Sequence, residues 1–60
     1  MGQLMTIAEV AERLNVSQAT LRYLINEKRA PRSLKVGRRR MFRPEDVEAF
    51  IEEQLAKEDA

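Results

Sequence analysis

The sequence predicts a mainly α-helical fold with one small β-hairpin, in the order helix, turn, helix, hairpin, helix. Three observations lead to this prediction. Apolar residues repeat at helical spacing in two neighbouring segments that only three residues, 15–17, separate. Between residues 33 and 42 the helical period gives way to alternation around a glycine. A proline at position 44, followed by two acids, then starts a third helical pattern. This order is typical of a winged helix-turn-helix.

The first predicted helix starts after Thr6. Thr6 and Glu9 match a capping box, in which each side chain bonds a free backbone amide of the first turn. Apolar residues follow at helical spacing from Ile7 to Leu14. Asn15 tolerates the left-handed conformation that commonly closes a helix. The pattern therefore predicts a helix from Ile7 to Leu14.

The second predicted helix runs from Gln18 to Glu27, because Ser17 is a favourable N-cap. Its apolar residues Leu21, Leu24 and Ile25 share one face and are expected to pack on the core. The opposite face carries Ala19, Arg22, Tyr23 and Asn26. Two short helices joined by a three-residue turn predict a helix-turn-helix.

The predicted hairpin follows Pro31, which cannot continue a helix. Leu34 and Val36 alternate with polar residues and predict a strand whose apolar side chains face the core. Gly37 suits a turn, and residues 40–42 return as the second strand.

The third predicted helix starts at Pro44, where Glu45 and Asp46 complement the positive end of the helix dipole. It is expected to end near Leu55, with residues 1–5 and 56–60 frayed. The whole chain, 1–60, is predicted to be a single domain.

The predicted core joins the apolar stripes of the helices to the hairpin. The facing of the return strand stays open: if Phe42 points inward, Arg40 shares its face, and Met41 and Arg43 take the other. The predicted core residues are Ile7, Val10, Leu14, Val16, Leu21, Leu24, Ile25, Leu34, Val36, Phe42, Val47, Phe50 and Ile51.

The composition narrows the classes of function. The chain contains no Cys and no His, so it offers neither a disulfide nor the ligands of a Cys/His zinc site. No glycine-rich phosphate loop is present, and an enzyme is not expected. Residues 17–43 carry nine basic residues and one acid, whereas residues 44–60 carry seven acids and one lysine. Such segregation indicates that the middle segment binds a polyanion.

The residues also resemble a known family. Thr6 to Leu14, followed by Val16-Ser17 and Thr20-Leu21-Arg22-Tyr23, resembles the helix-turn-helix of MerR-type regulators. The later residues resemble the excisionase branch of the same winged-helix group: Pro31, Val36-Gly37-Arg38-Arg39-Arg40, Phe42, Glu45-Asp46-Val47 and Phe50. Two positions depart from the family pattern. Lys28-Arg29-Ala30 fill a turn in which relatives often have glycine, and Arg43 precedes the third helix in place of serine or threonine.

The resemblance implies the bare DNA-binding unit, without the dimerisation helix and effector region of ligand-sensing MerR-type regulators. It further implies an architectural excisionase, or recombination directionality factor, of a phage or mobile element. Such a factor binds and bends attachment-site DNA so that an integrase excises. Integrase is therefore an expected partner, together with further copies of the chain bound head to tail on DNA.

The expected DNA contacts come from two elements. Residues 18–26 are predicted to enter the major groove, with Gln18, Arg22 and Asn26 suited to base edges. The Ser17 amide is expected to meet a phosphate at the helix N-terminus. Tyr23 either donates its hydroxyl to a phosphate or covers the edge of the core, and Thr20 is a further expected DNA-binding residue. The hairpin tip, 37–40, is predicted to enter the minor groove through Arg38, Arg39 and Arg40. The expected flanking phosphate contacts are Arg29, Arg32, Lys35 and Arg43.

Other functions stay open at this stage. A small MerR-like transcriptional repressor uses the same elements, and the sequence does not separate it from an excisionase. A protein-interaction module, such as an antitoxin, would use the acidic third helix. No cofactor, metal or membrane contact is expected, and the expected location is the bacterial cytoplasm.

Overall fold

The computed structural model describes residues 3–59, and within them it contains three helices and a three-stranded antiparallel sheet. The elements are β1 (Met5–Thr6), α1 (Ile7–Leu14), α2 (Gln18–Asn26), β2 (Ser33–Val36), β3 (Arg39–Phe42) and α3 (Pro44–Asp59). The architecture is the winged helix-turn-helix that the sequence predicts, and the hairpin of β2 and β3 is its wing.

Helix α1 has the predicted bounds, and both of its predicted caps form. The Thr6 Oγ1 accepts a hydrogen bond from the Glu9 amide at 3.1 Å, and the Thr6 amide donates to Glu9 Oε1 at 2.8 Å. At the other end Asn15 lies in the left-handed region, with φ 60°. The Val16 amide then donates to the carbonyl of Ala11 at 2.9 Å. These bonds satisfy backbone groups that a helix end leaves free, and they fix the turn into α2.

Helix α2 begins after Ser17, whose Oγ accepts from the Thr20 amide at 3.0 Å. It ends one residue before the predicted end, and Lys28 then takes φ 59°. The amides of Lys28 and Arg29 donate back to the carbonyls of Ile25 and Leu24, at 3.1 and 2.8 Å. The lysine thus adopts the left-handed conformation in which helices usually have glycine.

Strand β3 is the centre of the sheet, whose order is β1, β3, β2. Phe42 pairs with Met5 on one side and with Ser33 on the other. The sequence pattern does not predict β1, because two residues are too few to show a strand period, and the segment up to residue 5 was expected to be frayed. Met5 is instead held in the sheet. Met1, Gly2 and Ala60, which were also expected to fray, lie outside the described residues.

The core is built around Phe42, which is fully buried. The side chains fully or almost fully buried with it are Val10, Ala11, Leu21 and Val47. A partly buried layer surrounds them, formed by Met5, Ile7, Leu14, Val16, Ile25, Ala30 and Ile51. Leu24 and Phe50 are half-buried. Ala11 was not predicted to belong to this core.

Two core predictions are wrong, those of Leu34 and Val36. Their side chains are 42% and 49% exposed. Leu34 pairs with Met41, and Ser33 pairs with Phe42. Since paired residues point to the same face and neighbours alternate, the inward position of Phe42 turns Leu34 and Val36 outward. The predicted alternation of inward and outward side chains is correct, but the residues assigned to the inward face are the ones that point outward.

Helix α3 is longer than predicted, because it continues past Leu55 to Asp59. Its exposed C-terminal turns contain an ion pair between Lys57 and Glu53, at 3.7 Å. Near its start, Glu48 Oε1 accepts a hydrogen bond from Arg13 of α1 at 2.8 Å. This contact joins the acidic helix to the helix-turn-helix.

Candidate nucleic-acid interface

A groove of about 580 Å³ lies between α2 and the wing. The start of α1 closes one end of it through Thr6, Ile7 and Ala8. The predicted site residues that line this basic groove are Gln18, Arg22, Asn26, Lys35, Arg38, Arg39 and Arg40. The fold therefore brings the polar residues of α2 next to the cations of the wing.

The helical side of the groove is a single row of side chains. Gln18, Arg22 and Asn26 are spaced four residues apart, so they follow one another along the same face of α2. All three are exposed. Leu21 lies fully buried on the other side of the helix, and it anchors α2 to the core. The amphipathic pattern thus fixes which side chains α2 presents.

The wing side of the groove depends on the register of β2 and β3. Lys35 pairs with Arg40, and both share the face of Phe42. Gly37 takes φ 63° in the two-residue turn, which suits glycine at the first central position. Arg38 completes this turn at the tip of the wing. The open question of the return strand is settled: Phe42 points inward, and Arg40 lies beyond it on the same face.

Arg40 is the wing cation that the protein holds most closely. Its side chain is half-buried, and Nη1 donates to Ser33 Oγ at 2.8 Å. Ser33 is not among the site residues that the sequence predicts. Its proximity to Arg40 can be inferred only from the register of the strands, which places Ser33 diagonally across from Arg40.

The basic groove is strongly electropositive. Five cations line it, and no Asp or Glu does. Within residues 3–59 none of these five cations forms an ion pair; the pairs that do form are Arg13–Glu48, Arg43–Asp46 and Lys57–Glu53. All three use an acid of α3. Such a surface favours an anion that spans several cations.

Arg43 lies outside the basic groove and is bound by the start of α3. Its Nε donates to Asp46 Oδ2 at 2.7 Å and its Nη2 to Oδ1 at 3.1 Å. These hydrogen bonds raise the pKa of Arg43 and, despite some desolvation, hold the pKa of Asp46 below its ordinary value. Arg43 directly precedes Pro44, the first residue of α3.

The remaining predicted residues lie elsewhere. Arg29 and Arg32 line a second cleft of about 840 Å³, between the segment after α2 and the acidic face of α3. Ser17 and Thr20 bond each other through their hydroxyls at 2.9 Å, at the N-terminus of α2. The Tyr23 side chain is 57% exposed on the same helix. None of these five residues lines the basic groove.

Comparison with known proteins identifies the architecture. A family model described as a helix-turn-helix domain matches residues 4–55, a span that includes both helices of the turn, the wing and most of α3. Searches of curated proteins and of solved structures found no match. Between residues 3 and 59, no helix is long and apolar enough to cross a membrane.

Proposed function

Because the chain belongs to the helix-turn-helix domain family, whose members bind DNA, we propose that it binds double-stranded DNA sequence-specifically through the basic groove. The observation that carries this proposal is the row of Gln18, Arg22 and Asn26 beside the four cations of the wing, with no acid among the residues that line the groove. Polar side chains that fit base edges stand next to charges that fit phosphates.

In this proposal the two elements that border the groove contact different grooves of the duplex. Helix α2 enters the major groove, where Arg22 pairs with guanine and Asn26 or Gln18 with adenine. The tip of the wing enters the adjacent minor groove through Arg38 and Arg39. Further phosphate contacts come from the N-terminus of α2, from the exposed tyrosine of the same helix and from cations outside the groove. These are Ser17, Thr20, Tyr23, Arg29, Arg32 and Arg43.

The finer proposal is an architectural role in recombination. The resemblance of residues 31–50 to excisionases supports it. The protein would bend attachment-site DNA in the bacterial cytoplasm and thereby direct an integrase to excise. A transcriptional repressor would use the same DNA contacts.

The DNA-binding proposal is tested by the salt dependence of duplex binding. Neutralising five or six phosphates releases their counterions, so log K should fall against log salt with a slope of about −5. Arg13→Gln serves as a control, because Arg13 is paired with Glu48 outside the groove and its loss should leave the slope unchanged. A slope near zero in the wild-type protein would remove the proposal.

The excisionase proposal is tested by recombination. A purified integrase encoded beside the gene should excise a segment between its attachment sites only when the protein is added. A matched variant, Arg38→Gln with Arg39→Gln, should lose this effect together with binding. Specific binding with unchanged excision, accompanied by repression of an adjacent promoter, would favour the repressor.

A further inference from the structure

The geometry of the basic groove has a consequence for how it meets the duplex. The major and minor grooves of DNA are separated by the sugar-phosphate backbone of one strand. A protein with α2 in one groove and the wing tip in the next must therefore straddle that strand. The space between α2 and the wing is the basic groove itself, about 580 Å³ in volume.

We propose that one phosphodiester strand lies along the basic groove and that Arg40, positioned by Ser33, is its central phosphate ligand. This inference rests on the proposed function and refines it. From the sequence alone, Arg40 is grouped with the tip residues that are predicted to enter the minor groove. The register divides that group, because Arg40 lies on the inner face of the wing, whereas Arg38 lies in the turn.

Arg40 has donors to spare for a phosphate. A guanidinium carries five N–H groups, and the hydrogen bond to Ser33 Oγ uses Nη1. Within residues 3–59 no carboxylate forms an ion pair with it. The remaining N–H groups match the bidentate geometry of a phosphate. Lys35, paired with Arg40 on the same face, and Arg22 from α2 border the same space.

Ser33 acts here as a positioning residue. Its hydroxyl holds the guanidinium in a half-buried place before any DNA arrives. A side chain that is already ordered loses less rotamer freedom on binding, so the hydrogen bond favours the complex. Ser33 itself carries no charge and adds nothing to the release of counterions.

The test uses duplexes in which single phosphates are replaced by neutral methylphosphonates, one linkage at a time. Wild-type affinity should fall at a small number of linkages. Arg40→Gln should weaken binding to the natural duplex about tenfold, as expected for one charge-assisted hydrogen bond. It should also abolish the sensitivity to one linkage. Arg29→Gln, outside the groove, should leave that sensitivity intact.

The role of Ser33 is separated by a double-mutant cycle. Ser33→Ala should weaken binding a few-fold, keep the wild-type salt slope, and have no further effect when combined with Arg40→Gln. Arg40→Lys keeps the positive charge, so its binding should remain partly sensitive to the methylphosphonate at that one linkage. Circular dichroism checks that the variant is folded.

Three results would overturn the inference. If the wild-type protein binds no duplex, the proposed function fails, and the inference fails with it. If binding occurs but Arg40→Gln changes a base preference instead of one phosphate sensitivity, the groove does not hold the backbone in this way. If Ser33→Ala is equally costly in the Arg40→Gln background, Ser33 supports only the fold.

Discussion

Arg22 stands in the middle of the row that α2 presents to the basic groove, between Gln18 and Asn26. If it pairs with a base, Arg22→Ala should cost about 1–3 kcal/mol and relax the preference at one base position. Binding-site selection with wild type and variant measures both effects. Arg29→Ala is the matched control, and it should weaken binding evenly across sequences. An unchanged preference in Arg22→Ala would show that another residue reads the base.

The fold lowers the pKa of Asp46, so the ionisation of this residue is linked to stability. Its carboxylate accepts two hydrogen bonds from Arg43, and its side chain is only 19% exposed. Because the pKa of Asp46 is lowered in the folded protein, its contribution to stability is present above the ordinary value of 3.8. The contribution is lost as the pH falls through the lower folded pKa.

This linkage predicts how Asp46→Asn behaves. The variant should be less stable than wild type near neutral pH, and the difference should shrink as the pH falls below the ordinary carboxyl value of 3.8 and the wild-type carboxylate is protonated. Urea unfolding at both pH values measures it. Glu53→Gln is the control, since its exposed pair with Lys57 is longer and should contribute little at either pH. A constant difference across pH would mean that the charge of Asp46 plays no part.

At the scale of elements, the end of α2 is held in a conformation that lysine rarely adopts. Lys28 has φ 59°, and two backbone hydrogen bonds close the helix around it. A side chain in this region costs about 1–2 kcal/mol relative to glycine. Glycine also gains freedom in the unfolded chain, and this offsets part of the relieved strain. Lys28→Gly should therefore stabilise the fold by about 1 kcal/mol.

Thermal unfolding tests the Lys28 prediction, with Arg29→Gly as the matched control. Arg29 follows directly and does not have positive φ. Glycine there should destabilise the fold, because it adds only unfolded-state entropy. If Lys28→Gly were as destabilising as Arg29→Gly, the left-handed conformation would not be a source of strain.

The elements that the sequence predicts well are those with local caps. Thr6 with Glu9, Asn15 and Ser17 each act within a few residues, so their patterns locate α1 and the start of α2. The phase of the wing depends instead on packing of Phe42 against distant helices, and the period of two leaves that phase open. The short strand β1 depends on pairing with β3 and has no pattern of its own.

The same division holds for the candidate site. The row on α2 follows from helical spacing, so its members could be identified from the sequence. The cations that join that row could not be identified from the sequence, because their positions depend on the register of the wing and on the ion pairs of α3. Arg43 illustrates the point: the sequence shows its charge, but not its bidentate contact with Asp46, the shorter bond of which is 2.7 Å.

At the scale of the molecule, the acids and the basic groove are kept apart. The acids of α3 bind cations outside the groove, namely Arg13, Arg43 and Lys57. Within residues 3–59 no acid forms an ion pair with the five groove cations, so their charges are available to a partner. The segregation visible in the sequence is thus realised as two surfaces, one that attracts a polyanion and one that repels it.

The acidic surface also bears on assembly. A single unit of this size buries only about 600–1,000 Å² on DNA, which gives limited site selection. The distal turns of α3 expose Leu55 together with Glu52 and Glu58. The cations Arg29 and Arg32 lie outside the basic groove. We propose that the acidic turns of one copy approach the basic segment of the next, in a head-to-tail contact that repeats along the duplex.

This proposal predicts a monomer in solution that loads cooperatively onto directly repeated sites. Sedimentation of the free protein and mobility shifts on one, two and three sites measure the two properties. Glu52→Lys with Glu58→Lys should reduce cooperativity. Both positions lie outside the basic groove, so the affinity of the variant for a single site should equal that of wild type. The loss of cooperativity should appear as an equal affinity for each site on the two-site and three-site duplexes. Equal affinity per site in the wild type, or a DNA-free dimer that binds an inverted repeat, would contradict the head-to-tail contact.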